Sequence, residues 1–332
     1  MPQLRQNIVT GEWVVIAPER AKRPNDYVTQ DSVRHQSRTG CLFCDSQEPY
    51  KNRIKKYDTQ HIFLTSNKYP AFIEQSDVAS PRSYKVENDF YRARPSIGGH
   101  DIVVVRDHDT CLPEFNEIIW QEMFWTFKKR YVDFDKNNKN VYTMAIYNHG
   151  SNAGASVEHA HAQIFSSNII PNIVSRELHH AGYYFEHNGT CVFCDIIKHE
   201  KREQLRIIDE NKYFIAFTVF AARFPFEIWI YPKKHQSRFE NLTHIENIAL
   251  SKCLKRVFSL LDEKLNDPPL NFFIHNIPNT ITETQYFHWH IEIAPRLAKY
   301  GGFELGAGTI IDVVSPEKAA EFLNENKKEN ND

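Results

Sequence analysis

The stretch Glu158-His159-Ala160-His161-Ala162-Gln163-Ile164-Phe165 decides the fold, because polar residues alternate in it with small or apolar ones. Successive side chains of a β-strand point to opposite faces, so the pattern predicts a strand with His159, His161 and Gln163 on one face. A single histidine on a strand is usually an ordinary structural residue. Two imidazoles and a carboxamide on one face instead indicate a binding site for an anion.

The pattern occurs a second time, in Phe287-His288-Trp289-His290-Ile291-Glu292-Ile293, 288 − 159 = 129 residues later. Two other markers repeat in the same order, namely a C-x-x-C pair and a histidine after an apolar strand. They are Cys41/Cys44 with Cys191/Cys194 (191 − 41 = 150 residues apart) and His108 with His235 (235 − 108 = 127 residues apart). This preserved order predicts a duplicated domain, with units at residues 1–170 and 185–315 and a C-terminal helix and disordered tail at 316–332.

Each unit combines short strands with one helix. One helix is predicted to begin at Pro113, and another at the capping box of Thr243 and Glu246. A further helix is predicted from Pro316 through Asn324, and residues 167–190 are interpreted as a polar connector. Strands and helices do not alternate regularly, which favours an α+β fold with a mainly antiparallel sheet and helices packed on it.

Composition excludes several classes of partner. The chain has 332 residues, 41% of them hydrophobic and 25% charged, and a net charge of −2. Such a balance offers no basic surface for nucleic acid. The N-terminus has no apolar signal segment, and no apolar stretch is long enough to span a bilayer. We therefore expect a cytoplasmic protein whose partners are small molecules, with no nucleic acid or membrane among them.

The cysteines indicate metal sites, because paired cysteines at this spacing in a reducing compartment bind metal or do redox work. The repeat gives each C-x-x-C pair two histidines, and a closed Cys₂His₂ set is typical of structural zinc. The predicted ligands are Cys41, Cys44, His108 and His159 for one zinc, and Cys191, Cys194, His235 and His288 for a second. A redox motif is the alternative, but it needs no distant histidines. We expect one or two zinc ions and no organic cofactor, and we interpret Cys111 and Cys253 as ordinary buried thiols.

If His159 binds zinc, His161 remains available as a nucleophile, and an imidazole can attack phosphorus to form a covalent intermediate. The polar loop from Asn148 to Ser156 offers glycines and donors for phosphate oxygens. Gln163 adds an uncharged donor that can stabilise charge but cannot protonate a leaving group. The leaving group should therefore be a phosphate.

Both halves contain H-x-H, so His290 is the competing nucleophile. Glu292 would place a carboxylate beside an anionic phosphate, at a cost of several kcal/mol in a partly desolvated site. The second-half segment that matches the donor loop, residues 279–283, has no glycine and contains an acid. We therefore assign His161 as the nucleophile and His290 to structure or to the second metal.

These motifs resemble the galactose-1-phosphate uridylyltransferase family of the histidine-triad superfamily. The resemblance rests on the C-x-x-C pair, Asp107-His108 with Leu112-Pro113-Glu114 after it, and the run from Asn148 to Gln163. It implies two tandem histidine-triad-like units and a ping-pong reaction in which UDP-glucose loads His161, glucose 1-phosphate leaves, and galactose 1-phosphate accepts the nucleotidyl group.

The resemblance also assigns binding residues. It places Arg20 and Arg23 at phosphates and makes Asn67, Asn148, Gly154, Ser156 and Gln163 nucleotide contacts. It further implies a homodimer with shared active sites, in which a C-terminal segment reaches the partner's sugar; that segment contains Lys299, Gly302, Phe303 and Glu304.

The chain departs from well-known members at two substrate contacts. They carry Asn-Asp where this chain has Asn67-Lys68, and a sugar-binding glutamine where it has Gly306-Ala307-Gly308-Thr309-Ile310. Some relatives also hold iron in the second half, for which the matching set here is Glu177, His275, His288 and His290; the cysteines favour zinc instead.

Two other functions stay open. A nucleotide-sugar phosphorylase, such as one that splits ADP-glucose with phosphate, would use the same histidine chemistry. A non-catalytic, zinc-stabilised nucleotide-binding module is the second, and the presence of both His161 and Gln163 speaks against it.

Overall fold

The structure is a computed structural model that describes residues 1–20, 38, 40–44, 47–74, 90–91, 93–136 and 140–325. The strands of this part of the chain are β1 (Gln3–Gln6), β2 (Trp13–Ile16), β3 (Ile62–Ser66), β4 (Gly98–Val105), β5 (Tyr142–His149), β6 (His161–Ser167), β7 (Ile207–Glu210), β8 (Phe214–Thr218), β9 (Ile228–Pro232), β10 (Leu270–His275), β11 (His290–Pro295) and β12 (Ile311–Asp312). The α-helices are α1 (Glu48–Lys51), α2 (Glu117–Asp135), α3 (Asn172–Asn188), α4 (Val192–Glu203), α5 (His244–Leu265), α6 (Gly302–Ala307) and α7 (Pro316–Asn324).

Nine strands form one antiparallel sheet in the order β3-β4-β6-β5-β10-β11-β9-β8-β7. The strands of the first half, β3 to β6, lie in the order first, second, fourth, third. The strands β8 to β11 of the second half repeat this order, and the two halves meet where β5 pairs with β10. The predicted α+β fold of two tandem units on a mainly antiparallel sheet is thus confirmed, while the unit boundaries stay a prediction.

Helices α2 and α5 cover one face of this sheet and bury most of the hydrophobic core. Trp120 of α2 stacks on Phe258 of α5 with ring centroids 5.0 Å apart. The predicted capping box of Thr243 and Glu246 begins α5. The predicted start of the first helix at Pro113 is wrong: α2 begins at Glu117, because the side chain of Asn116 accepts hydrogen bonds from the first turn.

The opposite face carries the candidate site in the first half and is covered by α3 and α4 in the second half. Most of the predicted polar connector, residues 167–190, forms α3, a helix that the sequence analysis did not predict. Three α3 residues are buried, namely Val174, Glu177 and Ala181, and Leu178 and Tyr184 pack partly buried against the second-half core. Helix α4 starts directly after Cys191.

The histidine strands are shorter than predicted. Strand β6 begins at His161 and β11 at His290, so His159 and His288 precede their strands. At Ala160 the chain still follows β4, because the carbonyl of Ala160 accepts from the amide of Val105 at 3.0 Å. The approach to the strand, rather than the strand itself, therefore carries the first histidine of each pair.

A small sheet joins the two ends of the chain. Strand β2 pairs with β1 and, in parallel, with β12, where Ile311 lies opposite Val15. The predicted C-terminal helix is present as α7, capped by Ser315, while the end of the tail lies outside the described residues. Among the described helices, none combines the length and the apolar character that crossing a bilayer requires.

Asp312, buried in β12, gives a testable pH dependence. Burial raises the pKa of its carboxyl to about 8, whereas an unfolded aspartate titrates near ~3.9. The folded state therefore keeps a proton that the unfolded state releases, and the stability contributed by Asp312 is lost as the pH rises from about 4 through about 8. We expect Asp312→Asn to match the wild-type melting temperature at about pH 3.5 and to exceed it increasingly towards pH 8.

Asp133→Asn is the matched control. Lys136 and Lys56 lower the pKa of Asp133, so its charge stabilises the folded state at neutral pH. The amount by which Asp133→Asn melts below the wild type should therefore shrink as the pH falls. Melting curves that show a pH-independent difference between Asp312→Asn and wild type would contradict the assignment.

Candidate active site

The first cysteine–histidine cluster assembles as predicted from the repeat. The ligand atoms of Cys41, Cys44, His108 and His159 all lie within 4.8 Å of one another. Nδ1 of His159 is 3.2 Å from Sγ of Cys41, and Nδ1 of His108 is 3.4 Å from Sγ of Cys44. Ligands bound to zinc at ~2.0–2.3 Å in a tetrahedron lie roughly 3.5 Å apart, so these spacings fit that ion.

A hydrogen bond sets the tautomer of His159 for metal binding. Nε2 of His159 donates to the carbonyl of Val105, the last residue of β4, at 2.6 Å. The other nitrogen, Nδ1, therefore carries the lone pair and faces the thiols. Metal-binding histidines ordinarily donate their second nitrogen in this way.

The second cluster repeats this arrangement around Cys191, Cys194, His235 and His288. Sγ of Cys194 lies 3.4 Å from Nδ1 of His235 and 3.7 Å from Nδ1 of His288. Nε2 of His288 donates to the carbonyl of Pro232, at the end of β9, at 2.8 Å. The donor set again fits a closed zinc site.

The four iron ligands implied by the resemblance, Glu177, His275, His288 and His290, do not form one cluster. His288 turns its Nδ1 towards Cys194, whereas Glu177, His275, His290 and Glu292 form a separate buried group. Nδ1 of His275 lies 2.7 Å from Glu177. Burial alone would lower the pKa of His275, but the carboxylates of Glu177 and Glu292 raise it.

Arg223 neutralises part of this buried group. Its guanidinium donates to Glu292 and, at 2.7 Å, to Glu227. Burial opposes the charge of Glu292, yet Arg223 and His275 hold the pKa of Glu292 well below its ordinary value. Protein cations thus already partner the carboxylate that stands in the place of Gln163.

His161 is held as a neutral imidazole. Its Nδ1 donates to the carbonyl of His159 at 2.8 Å, so Nε2 carries the lone pair. Burial lowers the pKa of His161, and the carbonyl of His159 opposes this shift only in part. The ring of Phe43, from the C-x-x-C loop, lies 5.0 Å from the imidazole centroid. An unprotonated Nε2 in a fixed orientation is what nucleophilic attack requires.

His290 has the matching backbone bond but a different environment. Its Nδ1 donates to the carbonyl of His288 at 3.1 Å, whereas its Nε2 faces Glu292 at 3.3 Å. The rings of Trp229 and Tyr231 enclose the imidazole, which is 0% exposed. This packing supports the assignment of His161, not His290, as the nucleophile.

Gln163 is oriented by His100, which the sequence analysis missed. Nδ1 of His100 accepts from the amide of Ala71 at 3.2 Å, so Nε2 carries the proton and donates to Oε1 of Gln163 at 2.8 Å. Burial lowers the pKa of His100, which keeps this ring neutral. The amide nitrogen of Gln163 is left to act as a donor. Extending the alternation of β4 back from Ile102 would have placed His100 on the same face of the strand, but the pairing of β4 with β6 that brings it to Gln163 is seen only in the structure.

The polar loop follows β5 and contains two glycines with positive φ, Gly150 (81°) and Gly154 (86°). A Cβ at Gly154 would lie 4.0 Å from Nδ2 of Asn148, so the Asn148 amide and the loop backbone border one space. Ser156, further along, is exposed. Donors at this spacing suit phosphate oxygens.

The other predicted substrate residues have different surroundings. Nδ2 of Asn67 lies 3.1 Å from Nε2 of His100, but both nitrogens are donors, so this contact is not a hydrogen bond. Lys68 is exposed and pairs with Glu48 at 3.1 Å. Arg20 is exposed at the end of a short turn after β2, and Arg23 lies outside the described residues. Their roles as substrate contacts stay predictions.

The C-terminal segment forms α6 and its approach. Glu304 accepts from the amide of Gly301 at 2.9 Å and so caps its own helix, while Phe303 is 54% exposed. Lys299 and Gly302 precede or open this helix. Because β12 pairs with β2, this segment and Arg20 are attached to the same small sheet. A sugar contact for these residues stays a prediction.

The fold of two tandem histidine-triad-like units and the histidine site on its sheet define a nucleotidyltransferase. Models of the N-terminal and C-terminal domains of galactose-1-phosphate uridyl transferase match residues 1–171 and 177–329. The chain therefore belongs to the galactose-1-phosphate uridyl transferase family.

Individual relatives fall into two groups. ADP-glucose phosphorylase of Arabidopsis thaliana is 33% identical, over 98% of this chain and 93% of the relative. Galactose-1-phosphate uridylyltransferase of Thermotoga maritima is 28% identical, over 99% of this chain and all of the relative (100%). A crystal structure of the Arabidopsis thaliana phosphorylase with bound ADP-glucose superimposes with a TM-score of 0.82 at 30% identity, covering 98% of this chain and 99% of that one.

The metal clusters give a prediction about zinc and stability. We expect Cys41→Ser to remove one zinc per chain and to lower the melting temperature, because metal binding at a closed site contributes folding free energy, on the order of 10 kcal/mol in isolated zinc peptides. Metal analysis by plasma mass spectrometry and thermal unfolding measure both effects.

Cys111→Ser is the control, because Cys111 lies outside the three His, Cys and carboxylate clusters of the described residues. It should keep the wild-type zinc content. Zinc that survives Cys41→Ser, or metal-free protein that melts like the wild type, would refute the structural zinc.

Proposed function

We propose that this enzyme transfers a nucleotidyl group between a nucleotide sugar and a phosphate acceptor through a covalent nucleotidyl-His161. UDP-glucose is the proposed donor and galactose 1-phosphate the proposed acceptor. The observation that carries the proposal is the bond from Nδ1 of His161 to the carbonyl of His159, which leaves Nε2 unprotonated.

In the first step Nε2 attacks the α-phosphorus of the donor. A nitrogen–phosphorus bond forms, and the bond from phosphorus to the bridging oxygen breaks, so glucose 1-phosphate departs with the electron pair. A phosphate leaving group needs no proton at neutral pH. Gln163 and Asn148 would donate to the non-bridging oxygens as charge develops on them.

In the second step the acceptor phosphate attacks the same phosphorus, and the nitrogen–phosphorus bond breaks. Nε2 recovers its lone pair, and His161 returns to the neutral form. Since neither step moves a proton onto a leaving group, the uncharged amide of Gln163 suffices where a general acid would otherwise stand.

A second candidate is an ADP-glucose phosphorylase, in which adenylyl-His161 is attacked by inorganic phosphate. The similarity to the Arabidopsis thaliana phosphorylase, 33% over nearly the whole chain, favours it. The departures at Lys68 and at Gly306–Ile310 fall on contacts to base and sugar and leave the histidine chemistry unaffected. Only the donor base and the acceptor differ between the candidates.

Three further assignments belong to this proposal. Both Cys₂His₂ clusters would hold structural zinc, and the zinc of the first cluster would fix His159 without touching the substrate. The enzyme would be a cytoplasmic homodimer with shared sites, supported by the attachment of Arg20 and the C-terminal segment to one small sheet. A monomer by analytical sedimentation that has full transfer activity at the same protein concentration would contradict the shared site.

The donor–acceptor matrix tests the choice of substrates. UDP-glucose and ADP-glucose are each combined with galactose 1-phosphate and with inorganic phosphate, and products are separated by anion-exchange chromatography. We expect the transfer rate with one donor–acceptor combination to exceed the rates with the other three by about 100-fold or more. A site that hydrogen-bonds one base leaves polar groups unpaired when the other base binds. Uridylyl transfer to galactose 1-phosphate supports the first candidate, and adenylyl transfer to phosphate replaces it with the second.

Isotope exchange tests the covalent intermediate. Wild-type enzyme should move labelled glucose 1-phosphate into the nucleotide sugar without any second acceptor, because nucleotidyl-His161 forms reversibly. His161→Asn should abolish this exchange and keep its zinc, whereas the control His290→Asn should retain a measurable rate. Exchange that survives the loss of His161 would overturn the mechanism.

A further inference from the structure

The second half of the chain reaches into the catalytic loop through Asn271, at the start of β10. Asn271 lies directly opposite Asn148 in the β5/β10 pair. Its Nδ2 donates to Oδ1 of Asn148 and to the carbonyl of Ala153, each at 2.8 Å. Its Oδ1 accepts from Nη1 of Arg296 at 3.2 Å. One carboxamide thus contacts both sides of the loop.

These partners fix the orientation of the Asn271 amide. Arg296 can only donate, so it must meet the oxygen of Asn271. The carbonyl of Ala153 can only accept, so it must meet the nitrogen. The nitrogen therefore also faces Asn148, which has to present its own oxygen to Asn271. Consequently Nδ2 of Asn148 is turned away from Asn271, on the side where Gly154 leaves space.

A second contact holds the same end of β5. Nε2 of His149, the residue after Asn148, lies 2.7 Å from Oδ1 of Asp267, and both side chains are buried. Asp267 belongs to the turn between α5 and β10 and has a φ of 54°, so this turn is held in an uncommon conformation. The second half therefore fixes both the position and the amide orientation of the last residues of β5.

We propose that Asn271 is a positioning residue, which aims the Asn148 amide nitrogen at the phosphate transferred through His161. The inference rests on the proposed function. Arg296 donates to Asn271, and Asn271 donates to Asn148, so residues of the second half set the orientation of an amide in the first half. Asn271 itself touches no reacting atom.

Asn271→Asp separates this role from simple packing. The introduced carboxylate has nearly the shape of the native side chain and can still accept from Arg296, but it cannot donate. It would make the Asn148 amide rotate, so that an oxygen instead of a nitrogen meets the phosphate. We expect the exchange rate at saturating nucleotide sugar to fall about 100-fold, as when one oxyanion donor is lost.

Asn271→Ala should cost less, about 10-fold, because Asn148 is then released without being turned the wrong way. Asn247→Asp is the matched control: Nδ2 of Asn247 donates to the carbonyl of Gln121 at 2.9 Å, in the helix layer. It should alter melting temperature more than exchange rate.

A double-mutant cycle with Asn148→Ala decides the matter, since residues that act through one another are not additive. We expect Asn271→Asp to have little further effect once Asn148 is alanine. A loss that persists in that background, or equal losses in Asn271→Asp and Asn271→Ala, would overturn the inference.

Calorimetry measures the binding of UMP and of AMP to the four proteins of the cycle, namely wild type, Asn271→Asp, Asn148→Ala and the double variant. These affinities distinguish the failure of this inference from that of the proposed function. If wild type shows no exchange with any donor, the proposed function fails, and the cycle is read from the dissociation constants instead. Additive losses of affinity there would reject the positioning role independently of turnover.

Discussion

The hydrogen bond from His161 to the carbonyl of His159 is the interaction on which the site depends. His159 fits as a zinc ligand through Nδ1, donates through Nε2 to Val105, and accepts through its backbone from His161. A metal ion at that position would therefore fix the tautomer of His161, the proposed nucleophile. The spacing of two residues is essential, because a shift by one would turn His161 to the opposite face of the sheet.

The second half of the chain has the same two histidine-to-backbone hydrogen bonds, but different side chains surround its histidines. His288 and His290 repeat the two backbone bonds, but Glu292 replaces the glutamine and needs Arg223 beside it. A buried carboxylate without such a partner would be costly. Once the pair is present, aromatic rings can close over the histidine. In the second half His290 is thus enclosed by aromatic rings, and Asn271 of its strand β10 contacts the polar loop of the first half.

The sequence predicted what depends on spacing and missed what depends on tertiary contact. Both cysteine–histidine clusters came from repeated intervals, and helix α5 came from a local capping box. Helix α3 was missed although Val174, Leu178 and Ala181 follow a helical spacing, because its many polar residues were interpreted as a connector. His100 and Asn271 act on residues 63 and 123 positions away, respectively, and a single sequence does not show which strands will be neighbours.

In the part of the chain that the structure describes, the donors proposed for the phosphate at His161 are uncharged. Gln163 and Asn148 would offer amide nitrogens, and burial lowers the pKa of His100 and keeps it neutral. Two phosphates about 4 Å apart repel by about 4 kcal/mol at an effective dielectric constant near 20, and amides only partly offset this. In the proposed mechanism, cations would then come from outside β6 and the polar loop. The small sheet that joins β2 and β12 carries candidates from both chain ends, so a site completed by those ends would combine fixed neutral donors with charges that meet the substrate only on binding.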